Sequence, residues 1–302
     1  MNLPRFTGAI TAMATPFDGN DQICKPDLAK LVEAQIAGGI TALLPVGTTG
    51  ESPTLSHAEH RIVLEEVIQA AAGRVPVIAG AGSNSTREAV ELTRHAQAAG
   101  AAATLHVTGY YNKPTQEGLF RHFSAVAEAT DKPIVLYSIP GRCVIEIEVS
   151  TIERLVARYP HVNHLKESAG KVERVTEVKH ALGDAITVLS GDDALTVPFI
   201  KAGSEGVVSV LSNLFPKQTQ ELATSALNGN MDRASELQQL FAPLVESLFL
   251  EPNPVPVKAC LAQMGVFQRN NVRLPLCELS EKSAARVKQA LTSTIETLTQ
   301  SG

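Results

Sequence analysis

A buried strand that ends in a lysine is predicted by the stretch His161-Val162-Asn163-His164-Leu165-Lys166-Glu167-Ser168. A lysine is unusual in that place, because an ammonium group buried without a partner costs free energy. In a desolvated pocket a lysine amine loses its proton more readily, and the neutral amine is a nucleophile toward carbonyl carbons. Taken by itself, the stretch better fits a commoner arrangement, in which the flexible stem of Lys166 carries the charge to water.

Seven further apolar segments resemble this strand and bring the total to eight. They occupy residues 8–15, 41–46, 75–79, 103–107, 133–137, 186–190 and 206–210. Most are followed by a helical pattern, at a spacing of roughly 25–30 residues that is typical of βα units. Strands this apolar, without alternation, belong to a parallel sheet covered by helices. Because no G-x-G-x-x-G motif follows the first segment, the α/β fold predicted is a (β/α)8 TIM barrel rather than an open dinucleotide-binding sheet.

Helical patterns continue after the strands stop near residue 217. These patterns cover residues 222–227, 233–249, 257–264 and 281–298. The sequence therefore predicts a barrel over residues 1–225 that carries the active site, followed by a C-terminal helical region over residues 226–302. The stretch Glu251-Pro252-Asn253-Pro254-Val255-Pro256 is predicted to be a stiff connection inside that region.

Three local features are also predicted. Pro45 is awkward for a central strand, so irregular pairing is expected there. Two helices are expected to begin with a capping box, one made by Ser56 with Glu59 and one by Ser85 with Glu88.

The composition is that of an ordinary globular protein, with 302 residues of which 44% are hydrophobic and 19% charged. The net charge of −5 and the absence of basic runs and of Trp argue against a nucleic-acid partner. The cysteines Cys24, Cys143, Cys260 and Cys277 form no CxxC pair and are predicted to be free thiols in a reducing compartment. Since no apolar run reaches membrane-spanning length, a cytoplasmic protein without a membrane partner is expected.

Reactive and polar residues cluster where active sites lie in such barrels, at the carboxyl ends of the strands. Gly47 to Glu51 follow the second strand, Tyr110 to Pro114 follow the fourth, Tyr137 ends the fifth with Arg142 shortly after it, and Lys166 ends the sixth. A lysine beside hydroxyl groups and an arginine suits carbonyl chemistry on an acid. The lysine forms a Schiff base, a tyrosine moves protons, and the arginine binds a carboxylate.

Six motifs are specific when taken together. They are Gly47-Thr48-Thr49-Gly50-Glu51-Ser52, Tyr110-Tyr111-Asn112-Lys113-Pro114, Tyr137-x-x-Pro140-x-Arg142, Leu165-Lys166-Glu167, Ser190-Gly191-Asp192-Asp193 and Glu251-Pro252-Asn253-Pro254-x-Pro256-Val257-Lys258. Through them, from Phe6 to about Leu276, the sequence resembles the dihydrodipicolinate synthase / N-acetylneuraminate lyase family of pyruvate-dependent class I aldolases. It departs from the usual family pattern at Gly109 and around Arg142, at Ser138, Gly141 and Cys143.

The resemblance implies covalent catalysis without a cofactor. Lys166 is expected to form an imine with pyruvate, and Tyr137 to move protons as the imine forms and hydrolyses. Thr48 is expected to connect Tyr137 by hydrogen bonds to Tyr111, which in this family comes from a neighbouring subunit. A homodimer or homotetramer is therefore expected.

Substrate-binding and regulatory positions are implied in the same way. Thr49 is expected to hold the carboxylate of pyruvate, Arg142 that of L-aspartate 4-semialdehyde, and Val208 to place its backbone beside the imine. The implied enzyme is a lyase of lysine and diaminopimelate biosynthesis that produces 4-hydroxy-tetrahydrodipicolinate. Regulated family members bind L-lysine, and the matching positions here are Ser52, His57, His60, Asn84, Glu88 and Tyr110. Feedback inhibition by L-lysine is therefore expected.

Several of these residues also have a simpler interpretation. The two threonines would serve as loop hydroxyls that bond backbone groups, and Tyr110 and Tyr111 as packing aromatics. Val208 would be part of the barrel packing. For Asp192 and Asp193, a helix N-terminal cap is favoured over catalysis.

Three other functions are weaker alternatives. A metal-dependent aldolase with His57 and His60 as ligands lacks a third ligand at a clear spacing, so no metal is expected. A non-catalytic binding protein with the same barrel would not need Lys166 and Tyr137. An aldolase or lyase acting on a sugar acid, such as N-acetylneuraminate or a 2-keto-3-deoxy acid, generally lacks an arginine at the position of Arg142.

Overall fold

The computed structural model describes residues 3–300, in which eight parallel strands form one sheet. The strands are β1 (Gly8–Ala12), β2 (Ala42–Leu44), β3 (Ile78–Gly80), β4 (Ala103–Val107), β5 (Ile134–Ser138), β6 (Val162–Glu167), β7 (Thr187–Ser190) and β8 (Gly206–Ser209). They are joined in the order β2-β1-β8-β7-β6-β5-β4-β3. Each predicted segment overlaps one of these strands, and the predicted (β/α)8 barrel is confirmed.

The barrel closes between β2 and β3, where the pairing is irregular. Leu43 pairs in parallel with Val77, and the Gly80 N–H donates to the Pro45 carbonyl at 3.2 Å. Pro45 has no N–H of its own to donate, and Val46 has a positive φ of 51°. The pairing is therefore irregular at Pro45, as predicted.

Helices cover the outside of the barrel and extend beyond it. They are α1 (Lys25–Ala37), α2 (His57–Ala71), α3 (Thr86–Ala99), α4 (Gln116–Ala127), α5 (Pro140–Cys143), α6 (Val149–Arg158), α7 (Val172–Leu182), α8 (Thr196–Lys201), α9 (Pro216–Leu227), α10 (Met231–Ser247), α11 (Val255–Gln263) and α12 (Glu281–Gln300). Helix α9 packs against β1, so it belongs to the barrel, and residue 225 lies in its last turn. Among residues 3–300, no helix is long and apolar enough to span a membrane.

Two apolar layers hold the strands between them, which explains why the strands show no alternation. Inside the barrel lies a cluster that includes Ile10, Leu44, Val135 and Leu189, all buried. Outside, larger clusters fill the space between the sheet and the helices. The four cysteines are free, as predicted, and Cys277 is the exposed one.

One capping prediction is confirmed and the other is wrong. The Ser56 Oγ accepts from the Glu59 N–H at 3.3 Å, and the Glu59 carboxylate accepts from the Ser56 N–H at 2.8 Å. Ser85 precedes α3 but makes no side-chain cap. The Glu88 carboxylate accepts instead from the Ser83 hydroxyl, whose oxygen also accepts from the Ser85 N–H at 3.0 Å. The hydrogen bond from Ser83 thus replaces the predicted cap by Ser85. Glu88 itself lines a cavity.

Candidate active site

Lys166 and Tyr137 are direct neighbours at the carboxyl end of the barrel. The β5–β6 register places Tyr137 opposite Lys166, and both side chains are buried. The Lys166 Nζ lies 4.1 Å from the centroid of the Tyr137 ring. Residues opposite each other in a sheet point to the same face, and here that face is the barrel interior. The structure thus brings the predicted amine and phenol together.

Gly191, which follows β7, leaves the space that the Lys166 stem occupies. A Cβ atom on Gly191 would overlap the Ser168 Oγ and lie 2.9 Å from the Lys166 Cε. The Ser168 Oγ is buried and has no hydrogen-bond partner among residues 3–300. Packing against the lysine therefore requires glycine at this position.

The loop after β2 presents Thr48 and Thr49 at the same mouth. It is a tight loop, in which Val46 and Glu51 have positive φ angles of 51° and 54°. The Glu51 N–H donates to the Thr48 carbonyl at 3.1 Å. Thr49 is buried, and its Oγ1 accepts from the Asn253 Nδ2 at 2.9 Å. Thr48 is half-buried, so the two neighbouring hydroxyls differ in their access to solvent.

A fully buried ion pair holds this loop to helix α11. The Lys258 Nζ lies 2.6 Å from the Glu51 Oε1, and both side chains are 0% exposed. The other Glu51 oxygen accepts from the Arg273 N–H at 3.0 Å, and the Lys258 Nζ also lies 4.2 Å from the centroid of the Phe17 ring. Desolvation lowers the pKa of Lys258, and the negative charge of Glu51 opposes that shift.

Arg142 lies on the short helix α5, exposed at the barrel mouth. The segment after it is tied to two strands. The Ile147 N–H donates to the Ser138 Oγ at 3.4 Å, and the Ile147 carbonyl accepts from the Arg174 guanidinium. Arg174 also pairs with Glu167, the residue after Lys166, at 3.4 Å. Burial raises the pKa of Glu167.

Tyr111 lies outside the active-site mouth of its own chain. It has a positive φ of 70°, and 94% of its surface is exposed. Two amide hydrogen bonds hold its loop to the loop after β3. The Asn112 Nδ2 donates to the Asn84 carbonyl at 2.9 Å, and the Asn84 Nδ2 donates to the Tyr110 carbonyl at 3.2 Å.

A small cavity of about 70 Å³ is lined by all of the predicted catalytic and substrate-binding residues except Tyr111. Its walls include Lys166, Tyr137, Thr48, Thr49, Arg142 and Val208, together with Gly191, Val210, Phe249 and Asn253. One tightly buried amine, one phenol, two hydroxyls and one guanidinium thus face a space of small-molecule size. Such a set can bind a keto acid and activate its carbonyl group.

A second cavity of about 430 Å³ adjoins the first. Of the six positions predicted to bind lysine, its walls include Ser52, His57, His60, Glu88 and Tyr110. Asn84 is not in the wall and instead supports the Tyr110 loop. Thr48 and Arg142 line both cavities.

Two polar side chains of the second cavity have partners within the chain. The His57 Nε2 pairs with the Glu88 carboxylate, and the His60 Nε2 lies 2.9 Å from the Gly80 carbonyl. Burial lowers the pKa of His60. In the part of the chain that the structure describes, no three His, Cys, Asp or Glu side chains are grouped to hold a metal ion.

Asp192 and Asp193 have separate structural roles. Asp192 accepts from a backbone N–H of the turn it precedes, as the predicted cap. Asp193 is buried and accepts from the Ser209 Oγ at 2.5 Å and from two backbone N–H groups after β8. Burial raises its pKa. Asp193 thereby fixes the end of the strand that carries Val208.

Comparison with known proteins agrees with this geometry. The model of the dihydrodipicolinate synthetase family matches residues 5–294. The chain belongs to this family. The 4-hydroxy-tetrahydrodipicolinate synthase of Bartonella bacilliformis is 46% identical over 284 residues, which is 94% of this chain and 96% of the relative.

Solved structures of the dihydrodipicolinate synthetase family superpose closely. The 4-hydroxy-tetrahydrodipicolinate synthase of Methylacidiphilum fumariolicum SolV gives a TM-score of 0.96 at 44% identity and covers 98% of each chain. A structure from Cyanidioschyzon merolae with lysine bound gives 0.92 at 36% identity and covers 96% of this chain and 98% of that one. This chain therefore has the family's fold over nearly its whole length.

Asn253 is the site residue whose place the sequence interpretation missed. The stretch that contains it is predicted to be a stiff connection, and the structure shows in addition that Asn253 lines the cavity and bonds Thr49. The signal was its presence in a motif of the dihydrodipicolinate synthetase family. Its role depends on a contact between residues 204 positions apart, which no local pattern reveals.

Proposed function

We propose that this chain is a 4-hydroxy-tetrahydrodipicolinate synthase, a lyase that condenses pyruvate with L-aspartate 4-semialdehyde. The observation that carries the proposal is the buried amine of Lys166 beside the Tyr137 ring, in a cavity that also contains Thr49 and Arg142. The names of the relatives support this substrate pair over the sugar acids.

The proposed reaction uses a covalent imine in place of a cofactor. The Lys166 Nζ attacks the keto carbon of pyruvate, and the keto oxygen leaves as water after it has gained two protons. Tyr137 is the nearby phenol that gives and takes these protons. The imine then withdraws electrons from the methyl carbon, which loses a proton and becomes the enamine that attacks the aldehyde. The amino group of the second substrate finally attacks the imine carbon, closes the ring and releases Lys166.

Two groups are assigned to the carboxylates of the substrates. The Thr49 hydroxyl, buried near Lys166, is assigned to pyruvate, and the exposed Arg142 guanidinium to the incoming semialdehyde. A guanidinium matches a carboxylate with two parallel hydrogen bonds, which favours a second substrate that is an acid. Val208 lines the same cavity, and its backbone is assigned to the space beside the imine.

The proposed working unit contains at least two chains. Tyr111 is 94% exposed and has a strained positive φ, which suits a side chain that is buried only in the active site of a neighbouring copy. Thr48 would then link it to Tyr137. Both a homodimer and a homotetramer would supply such a neighbour.

L-Lysine is the proposed inhibitor at the second cavity. The Glu88 carboxylate suits an ammonium group, and the His57 and Tyr110 side chains offer polar contacts for the rest of the amino acid. The lysine-bound relative supports this assignment. Because Thr48 and Arg142 line both cavities, bound lysine would lie next to two residues of the reaction site.

Borohydride trapping tests the proposed intermediate. With pyruvate and borohydride, the chain should gain a reduced adduct that maps to Lys166, and activity should be lost. Lys166→Arg should form no adduct, because an always-protonated guanidinium cannot make the imine. Lys171→Arg, at an exposed lysine on the loop after β6, is the matched control and should behave as the parent. An adduct at Lys113 or Lys258 would refute the assignment.

A substrate screen tests the second substrate. Pyruvate is supplied with L-aspartate 4-semialdehyde and, separately, with N-acetylmannosamine or glyceraldehyde, and consumption of each aldehyde is measured. Only the semialdehyde should be consumed. Turnover of a sugar aldehyde at a comparable rate would favour the sugar-acid alternative instead.

A further inference from the structure

Asn253 reaches the active site from outside the barrel. It precedes helix α11, is 7% exposed, and lines the same cavity as Lys166. Its Nδ2 donates to the Thr49 Oγ1 at 2.9 Å. Its Oδ1 is buried and accepts no hydrogen bond from residues 3–300. An amide side chain is therefore enclosed here with one strong contact, and that contact is with a substrate-binding hydroxyl.

This contact decides what the Thr49 hydroxyl can do. A threonine hydroxyl has one proton to donate and two lone pairs that accept. Because the amide N–H occupies a lone pair, the hydroxyl proton stays available for a third group. In the cavity, the group that needs a donor is the carboxylate of the keto acid.

The other end of the loop is held by the Glu51–Lys258 pair. Lys258 lies in the first turns of α11, close in sequence to Asn253, and its charge pairs with Glu51, two residues after Thr49. Helix α11 thus contacts the loop at two points, one at Thr49 and one at Glu51. The ion pair fixes the loop against the helix, and the amide sets the direction of the hydroxyl.

We propose that Asn253 is a positioning residue that fixes Thr49 as a hydrogen-bond donor to the carboxylate of pyruvate, on a loop anchored by the Glu51–Lys258 pair. This inference rests on the proposed function, since it assumes that pyruvate forms its imine at Lys166. It assigns to α11 and the turn before it a part in substrate binding, although they lie outside the barrel.

The test compares Asn253→Ala with Asn253→Asp. Alanine removes the donor, and the hydroxyl of Thr49 becomes free to turn away. Aspartate has nearly the same shape as asparagine but offers only acceptors, so it draws the Thr49 proton toward itself and away from the substrate. The KM for pyruvate should rise by about tenfold in Asn253→Ala, as expected for a weakened hydrogen bond to a charged group. In Asn253→Asp the KM for pyruvate should rise by more than in Asn253→Ala. The KM for L-aspartate 4-semialdehyde should change by less than about threefold in both, since the hydrogen bond from Asn253 goes to Thr49, which is assigned to pyruvate.

A purely structural role gives the opposite order. If Asn253 only fills space, the isosteric aspartate would keep the parent KM for pyruvate and alanine would not, and that result would overturn the inference. Melting temperatures of both variants show whether they fold. The aspartate variant keeps the test decisive if alanine unfolds the chain.

A double-mutant cycle with Thr49→Val separates positioning from direct binding. Once the Thr49 hydroxyl is gone, Asn253→Ala should raise the pyruvate KM by no more than about twofold, because coupled residues are not additive. If the increases in pyruvate KM of the two single variants multiply in the double variant, Asn253 acts independently of Thr49, and the proposal is contradicted. Borohydride trapping distinguishes a failure of the proposed function from a failure of this inference. No adduct at Lys166 refutes the proposed function, whereas a parent adduct whose dependence on pyruvate concentration is the same in both Asn253 variants refutes only this inference.

Discussion

Lys258→Met should destabilise the folded chain far more than the loss of an ordinary surface lysine. The substitution keeps the apolar stem but leaves the Glu51 carboxylate, which is 0% exposed, with the Arg273 N–H as its one partner among residues 3–300. Removing one member of a buried ion pair typically costs about 3–5 kcal/mol of unfolding free energy, because the remaining charge is desolvated and unpaired. At about 2–4 °C per kcal/mol for a large domain, the melting temperature should fall by about 6–20 °C.

The chain offers a matched control for this prediction. The Lys25–Glu66 pair has the same 2.6 Å separation, but its side chains are 56% and 30% exposed. Lys25→Met should therefore cost less than about 1 kcal/mol, since exposed pairs are screened by water. Both variants are measured by urea or thermal unfolding at one fixed protein concentration, because association shifts the apparent stability.

A double variant identifies the cause of the loss. In Glu51→Gln/Lys258→Met both charges are gone, and the glutamine can still accept from the Arg273 N–H. Its unfolding free energy should lie within about 2 kcal/mol of the parent, above that of Lys258→Met alone. A double variant as unstable as the single one would show that packing, and not the stranded carboxylate, dominates. A loss below about 1 kcal/mol in Lys258→Met would refute the reasoning altogether.

The remaining predictions concern pH, subunit exchange and the effector. Burial lowers the pKa of His106 and of His164 to about 3. In the unfolded chain these histidines bind protons near pH 6.5, so the free energy of unfolding should fall as the pH decreases from about 6.5 toward 3. The loss should be about 1.4 kcal/mol for each pH unit and each histidine. The pH dependence should be less steep in His106→Gln. Mixing inactive Tyr111→Phe with inactive Lys166→Ala should restore some activity, and no recovery despite exchange confirmed by mass spectrometry would contradict a shared site. Millimolar L-lysine should inhibit the parent in a coupled assay and Glu88→Ala much less, whereas equal inhibition of both would place the effector elsewhere.

The barrel could be predicted from the sequence because its signals are local. Each strand is a short apolar run, and helix ends are marked by residues such as Gly38 after α1 and Thr115 before α4. The order of the strands then follows from the rule that neighbouring βα units pack side by side. Lys166 and Tyr137 could be placed together for the same reason, since they end adjacent strands in register.

Capping was harder to predict, because several serines compete for one carboxylate. Ser83 and Ser85 both precede α3, and the spacing rule selects Ser85. The loop geometry instead brings the Ser83 hydroxyl to Glu88. Ser85 itself has the extended backbone of an N-cap residue, with φ −107° and ψ 117°, so the predicted cap is lost to the competing Ser83–Glu88 hydrogen bond.

The least predictable part of the site is what holds its loops in place. Asn253 bonds Thr49 across 204 positions of sequence, and Lys258 pairs with Glu51 across 207. The sequence around each of these residues describes only a Pro-rich turn or a helix start. They meet their partners only because the turn before α11 and the first part of that helix pack against the loop after β2. A strand can specify where a catalytic lysine lies, because register is a local property. The direction of a hydroxyl proton at Thr49 requires a second element from elsewhere in the chain, and the C-terminal region supplies it. The helices beyond the barrel should therefore affect pyruvate binding even though Lys166 and Tyr137 lie entirely on barrel strands.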